Sequence, residues 1–402
     1  MALTRREFLK GAGAMAALGM IGLPRLSFAN LPTDNRFILV ILRGALDGLA
    51  AVPAYGDPAY KQQRGSLAFA PPGELDGALD LNGFFGLNPA LQPLFPLYQQ
   101  HQMAVIHAVA SPYRERSHFD AQNLLENGST TPGGSDGWLN RALQTLGATK
   151  GSGIAINQQI PLVLQGALGM ESWATGSRDV NAGSDYMTKI AGLYQQDALL
   201  SGAFQEGMQA QATAQAGLST DDTTASKNAK DAGALYQAAK AAALFLSKEN
   251  GPRVAVMEAG GWDTHARQGS ASGQLYNRLG DLGRALAALP EALGPVWNKT
   301  VVVVVTEFGR TVAENGTGGT DHGTGSAVFV LGAGVRGGQV LGNWPGLAPS
   351  NLYQSRDLMP TTDMRSIFKT VLAAHLGTAR DALDTVIFPG STTAAPMAGL
   401  LA

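Results

Sequence analysis

Five short runs of Val, Ile and Leu each abut a knot of glycine and charged residues. They are 36–42 (RFILVIL) before RGALDG, 103–107 (MAVIH) before the loop 111–116, 253–258 (RVAVME) before GGWDTH, 300–305 (TVVVVV) before TEFGR, and 327–331 (AVFVL) directly after TDHGTG. A strand that is apolar along its whole length, without alternation, must be covered on both faces. Between these runs lie stretches with helical spacing, at 88–102, from about Ser117, at 272–289 and at 364–376. Buried strands alternating with helices predict an α/β fold, with a mostly parallel central sheet and helices on both faces. The short runs 153–156 and 162–164 are further strand candidates. The Gly- and Pro-rich stretch 53–86 reads as loop, and the Ala- and Gln-rich stretch 186–250 as a mostly helical insertion or cap within one domain spanning 30–402.

The first 29 residues read as a targeting segment and are set apart from the fold. Arg5-Arg6 precede Phe8-Leu9-Lys10, an apolar run rich in Gly and Ala covers 11–23, and Ser27 and Ala29 supply the small residues a signal peptidase reads. The apolar run is shorter than the roughly 20 residues that span a bilayer. The expectation is export by the twin-arginine translocase, as a transient partner, to the periplasm or beyond. That route carries folded proteins, so a metal can be acquired before export. No later segment reads as a transmembrane span. With 29 basic against 31 acidic side chains the chain lacks the basic excess of a nucleic-acid binder. With no cysteine, disulfides, thiolate nucleophiles and thiolate metal sites are excluded.

In open α/β sheets, ligands bind beyond the carboxyl ends of the strands. Most of the chemistry-bearing residues gather there: Asp47 after the first run, Arg114, Arg116, Ser117 and His118 after the second, Asp263 and His265 after the third, Glu307 and Arg310 after the fourth. Asp321 and His322 precede the fifth. Three of the six histidines fall in these loops. Asp263 and His265, two apart, share one face of an extended chain. Carboxylate with imidazole is a ligand set for Zn or Mn and, with more carboxylates, for Mg or Ca. Ser117 has two readings: a nucleophile, or the N-cap of the helix it precedes. Arg114, Arg116 and Arg310 are candidate donors to an anion, Arg310 also a partner for Glu307. His107 and His375 sit in apolar surroundings and read as core; His101 reads as exposed.

The motifs RGALDGL (43–49), RSHFDAQ (116–122), GGWDTHA (260–266), TEFGRT (306–311) and DHGTGSAVFVLG (321–332), behind such a leader, together resemble the domain of unknown function 1501 family. That family is placed in the alkaline phosphatase-like superfamily, with sulfatases and phosphodiesterases. The resemblance implies a large α/β sandwich with one or two divalent metals at the strand ends, and hydrolysis of a small phosphate or sulfate ester. It implies metal-ligand roles for Asp47, Asp263, His265, Glu307 and His322, with Asp321 beside the last as a further ligand candidate. Glu307-Phe308 stands where the superfamily commonly has Asp-His, so one histidine ligand is missing unless another residue supplies it. The alternative is an exported protein of the same fold with a binding or assembly role.

Overall fold

The computed structural model describes residues 31–174, 191–194, 197, 201–202, 204–205 and 233–402. The leader at 1–29 lies outside them, as does much of the stretch 186–250.

A nine-stranded sheet organises the chain. Its strands are β1 (Arg36–Arg43), β2 (Met103–Ala110), β3 (Gly153–Ile156), β4 (Glu171–Ser172), β5 (Val254–Gly260), β6 (Thr300–Thr306), β7 (Ser326–Leu331), β8 (Gln339–Leu341) and β9 (Thr362–Asp363). They lie in the order β8-β2-β7-β6-β1-β5-β3-β4, with β9 pairing the far end of β2. β1 is central, Leu39 facing Val256 of β5 on one side and Val303 of β6 on the other. All strand pairs of this sheet are parallel except those of β7, which runs antiparallel to both β2 and β6. The reversal has a consequence for the site: the segment that precedes β7 lies at the same edge as the segments that follow β1, β2, β5 and β6.

Alternate residues of β1 feed opposite faces, the period-two geometry of a strand. Ile38, Val40 and Leu42 join one core with α3 (Ala234–Leu246) and α4 (Gln274–Ala287). Phe37, Leu39 and Ile41 join the other with α2 (Trp138–Thr145) and α5 (Met364–Thr370). Each fully buried Val, Leu or Ile contributes about 1.5–3 kcal/mol, which is why strands with no polar face are stable only between two helical layers. The expected mostly parallel sheet with helices on both faces is what the chain forms. α3, from the stretch read as a cap, packs directly on α4 and β5.

Three expectations are corrected. Residues 162–164 form a 3-10 turn, with Leu164 and Gln165 N–H bonded to the carbonyls of Pro161 and Leu162. Short apolar runs do not distinguish a strand from a buried turn. The helix expected over 88–102 is a 3-10 segment, Pro89–Leu94, followed by a short α-helix, Phe95–Gln99, because Pro93 and Pro96 lack the N–H a continuous ladder needs. The helix over 364–376 is α-helical to Thr370 and then widens into a π-turn, Val371–His375.

Candidate metal centre

Two glycines let the strand-end loops meet backbone to backbone. At Gly44, just past β1, φ is +117° and a Cβ would stand 2.7 Å from the Asp263 nitrogen. At Gly309, past β6, a Cβ would stand 1.9 Å from the Gly325 carbonyl oxygen. Backbone bonds knit the same loops: Gly309 N–H to Thr324 O at 2.8 Å, Gly323 N–H to Gly309 O at 2.9 Å, and Thr320 N–H to Thr264 O at 3.1 Å. A side chain at either glycine would push these loops apart.

The loops bring four side chains together. His118 comes from the first turn of α1 (His118–Asn127) after β2, Asp263 and His265 follow β5, and His322 precedes the reversed β7. Ligand atoms of His118, Asp263 and His322 all lie within 4.8 Å of one another. His322 Nε2 is 3.0 Å from His118 Nε2, 3.0 Å from His265 Nε2 and 3.2 Å from Asp263 Oδ1. His265 Nε2 is 3.0 Å from Asp263 Oδ1, and His118 Nε2 is 3.5 Å from Asp263 Oδ2. Phe308 packs on the His118 and His322 rings, at centroid distances of 4.9 and 5.3 Å.

The outer nitrogens decide what the inner ones are. His118 Nδ1 is 2.7 Å from Glu307 Oε1, His265 Nδ1 is 3.1 Å from Asp321 Oδ1, and His322 Nδ1 is 3.1 Å from the Arg116 carbonyl. Each partner is an acceptor, so each Nδ1 carries a proton, and a ring that is neutral turns a bare Nε2 lone pair inward. With the rings neutral, the His118 and His322 lone pairs and the Asp263 carboxylate face one another at 3.0–3.5 Å, and His265 Nε2 stands 3.0 Å from both His322 Nε2 and Asp263 Oδ1. A divalent ion among them, or a further proton on a ring, relieves the repulsion of such a set. Tetrahedral zinc with bonds of about 2.0–2.1 Å places its ligand atoms about 3.3 Å apart, so the donor set fits a single divalent ion.

The local electrostatics follow. The hydrogen bond to Glu307 holds the His118 imidazole above its ordinary range, against the effect of burial. Burial and the neighbouring His118 push His322 down. Burial pushes the Asp263 carboxyl up, but Arg310 and the histidines outweigh it and hold the group below the usual carboxylate range. Glu307 is wholly buried, which alone would raise it; bonds from His118, Gln122 and the Gly44 N–H bring it below the usual range. The amide of Asn315 does the same for Asp321.

Of the residues singled out in the sequence, the structure brings Asp263, His265 and His322 together as inward donors. Glu307 and Asp321, expected as ligands, instead stand behind His118 and His265. Asp47 is not in the cluster. Its Oδ1 accepts from Ala50 N–H at 3.1 Å and its Oδ2 from Arg64 and Gln268, both at 2.6 Å, so both oxygens are engaged away from the cluster. Ser117 caps α1, its hydroxyl accepting from Asp120 N–H at 3.5 Å. Arg114 folds back onto the carbonyls of Ser111 and Tyr113. Arg116 bonds Asp357 at 2.9 Å and Gln354 at 2.6 Å. Arg310 is buried and clamps Asp263 and Thr320, not Glu307. His118 as a donor was not read from the sequence, although it lies in a strand-end loop. His107 is buried and His101 exposed, as expected; His375 is half-buried, its Nε2 donating to the Arg36 carbonyl at 2.8 Å.

Residues 98–387 match the sequence profile of the family described as protein of unknown function (DUF1501). Comparison with curated proteins finds no relative. Among solved structures, Ps i-CgsB in complex with k-i-k-neocarrahexaose is similar at a TM-score of 0.42 and 9% identity, covering 87% of this chain and 74% of that one. Ps i-CgsB alone gives 0.39 and 11% over the same shares. The C-terminal periplasmic domain of EcEptC from Escherichia coli, a complex with Zn, gives 0.35 and 10%, over 92% of this chain and 91% of that one. At these values nothing about chemistry follows from the likeness.

Proposed function

The chain belongs to the DUF1501 family of proteins of unknown function, and we propose that it is a metal-dependent hydrolase, exported through the twin-arginine route, that acts on a phosphate or sulfate ester. The convergence of three Nε2 atoms on the Asp263 carboxylate carries the metal half of this reading. The ester half rests on the likeness of its motifs to those of the alkaline phosphatase-like superfamily. The donors call for one divalent ion, and three imidazoles favour Zn or Mn over Mg or Ca.

When bound, the ion supplies Lewis-acid chemistry. The chain's own residues do the rest. Glu307, Asp321 and the Arg116 carbonyl retain the three Nδ1 protons and so keep the Nε2 donors available. Arg310 keeps Asp263 ionised. The Asp263 and His265 side chains are 40% and 46% exposed, so an ester oxygen can reach the centre from solvent. With the Ser117 hydroxyl committed to its cap, water is the nucleophile on this reading.

One observation favours the second reading, a binding or assembly role. Arg114, Arg116 and Arg310, the cations expected to hold an anion, are all committed to groups of the fold. A panel of phosphate and sulfate mono- and diesters, offered to the zinc- or manganese-loaded protein, separates the two. Turnover abolished by His322→Ala supports the hydrolase. Full metal loading with no turnover on any ester supports the second reading. Export is tested separately: Arg5→Lys/Arg6→Lys should leave an unprocessed precursor in the cytoplasm.

A further inference from the structure

Behind His118 a chain of polar side chains runs along one face of α1. Glu307 Oε1 accepts from His118 Nδ1 at 2.7 Å, Gly44 N–H at 2.8 Å and Gln122 Nε2 at 3.0 Å, while its Oε2 accepts from the Thr306 hydroxyl at 3.0 Å. Gln122 Oε1 in turn accepts from the Arg43 guanidinium at 3.1 Å. Arg43 is fixed by Glu126, at 2.8 Å, and by Glu258. His118 and Gln122 are four residues apart on α1, on one face, and both reach the same carboxylate oxygen.

The direction of every bond is forced. A guanidinium only donates, so the amide oxygen of Gln122 must face Arg43 and its N–H must face Glu307. Glu307 Oε1 is then held by the Gln122 and Gly44 N–H groups, and the ionised carboxylate can only accept from His118. The proton at that contact therefore stays on Nδ1, and in the neutral ring the lone pair is on Nε2.

We propose that Gln122, oriented by Arg43, is a positioning residue for the metal centre: through Glu307 it fixes the ring tautomer and direction of His118. This rests on the reading of His118 as a metal donor. Removing the amide leaves Glu307 with the Gly44 N–H and the Thr306 hydroxyl but without its tie to α1, so the carboxylate and the His118 ring bonded to it are held less firmly. Loss of the direct partner of a metal-ligating imidazole lowers metal affinity about 10- to 100-fold, and a residue that acts through that partner falls at the low end.

The test uses the full mature chain with zinc as the probe, beside Gln122→Met, which keeps the side chain's length and removes both polar ends. Two quantities are read: the zinc dissociation constant by chelator competition, and the His118 tautomer in the metal-free protein from its ring ¹⁵N shifts. The expected result is about tenfold weaker zinc binding, with His118 changing from the Nδ1–H form to a mixture, and an unchanged metal-free melting temperature. Gln122→Asn keeps the amide but shortens its reach; it gives the same readings should the methionine variant not fold. Wild-type affinity together with a wild-type tautomer in a folded variant overturns the proposal. A wild type that binds no zinc overturns the metal reading itself, and the tautomer measurement then shows whether Gln122 governs His118 at all.

Discussion

Two aspartates at neighbouring strand ends are each gripped by a buried arginine, and only one of them faces solvent. Asp47 follows β1 and pairs with Arg64, both sealed from water, with both its oxygens engaged by Arg64, Gln268 and the turn it caps. Asp263 follows β5 and pairs with buried Arg310, yet its carboxylate is 40% exposed and touches three imidazoles. The first pair is closed architecture. The second holds a charge in place while leaving it able to bind. The difference lies in what the rest of the fold offers each carboxylate: neutral and cationic donors for Asp47, bare lone pairs for Asp263.

The sharpest way to break this comparison is to remove each aspartate. Asp47→Ala leaves the Arg64 guanidinium buried without its partner, at a cost of about 3–5 kcal/mol in denaturant unfolding; zinc affinity of whatever remains folded should be unchanged. A stable Asp47→Ala protein that has lost zinc would show that the pair belongs to the site after all.

The histidines divide in the same way. His107 is buried, its Nε2 donating to the Val52 carbonyl at 3.0 Å and its Nδ1 accepting from Ala108 N–H at 3.0 Å, and burial pushes its pKa down to about 4. The unfolded chain takes up a proton near pH 6.5 and the folded chain only near 4. Its stabilising effect is therefore complete above pH 6.5 and is lost as the pH falls through that window, by about 3 kcal/mol. His107→Gln should flatten the stability profile between these values, whatever it costs at neutral pH. A profile as steep as the wild type's would place the acid sensitivity elsewhere.

Within the open site, donors and their holders separate by size of effect. His322→Ala, which removes the atom nearest the other donors, should weaken zinc binding by more than about 100-fold. Glu307→Gln, which removes a holder, should weaken it by about 10- to 100-fold, and zinc should still bind. Complete loss of zinc in Glu307→Gln would return Glu307 to the ligand role that the sequence suggested.

The sheet was legible because strands buried on both faces leave continuous apolar runs, and β1, β6 and β3 lie almost where those runs do. The strand-end location of the site was legible for the same reason. Two things were not. The direction of β7 depends on its neighbours, and nothing in AVFVL distinguishes a parallel from an antiparallel strand. That is why a motif preceding this strand joins motifs that follow the others. The roles of the carboxylates were also hidden, because they are set by distant partners: Arg64 and Gln268 for Asp47, His118 for Glu307. Asp47 and Asp263 have the same local signature, an aspartate a few residues past a buried strand. His118 was overlooked as a donor because its neighbour Ser117 drew the chemical reading of that loop, where the hydroxyl serves as a cap.

The most direct test of the account is the metal content of the mature protein purified after export without chelators, beside Asp263→Ala/His265→Ala. The account predicts about one equivalent of zinc or manganese per chain, absent from the double variant. A folded wild type that stays metal-free after zinc, manganese, magnesium and calcium are each added back, or a double variant that keeps its ion, would contradict it.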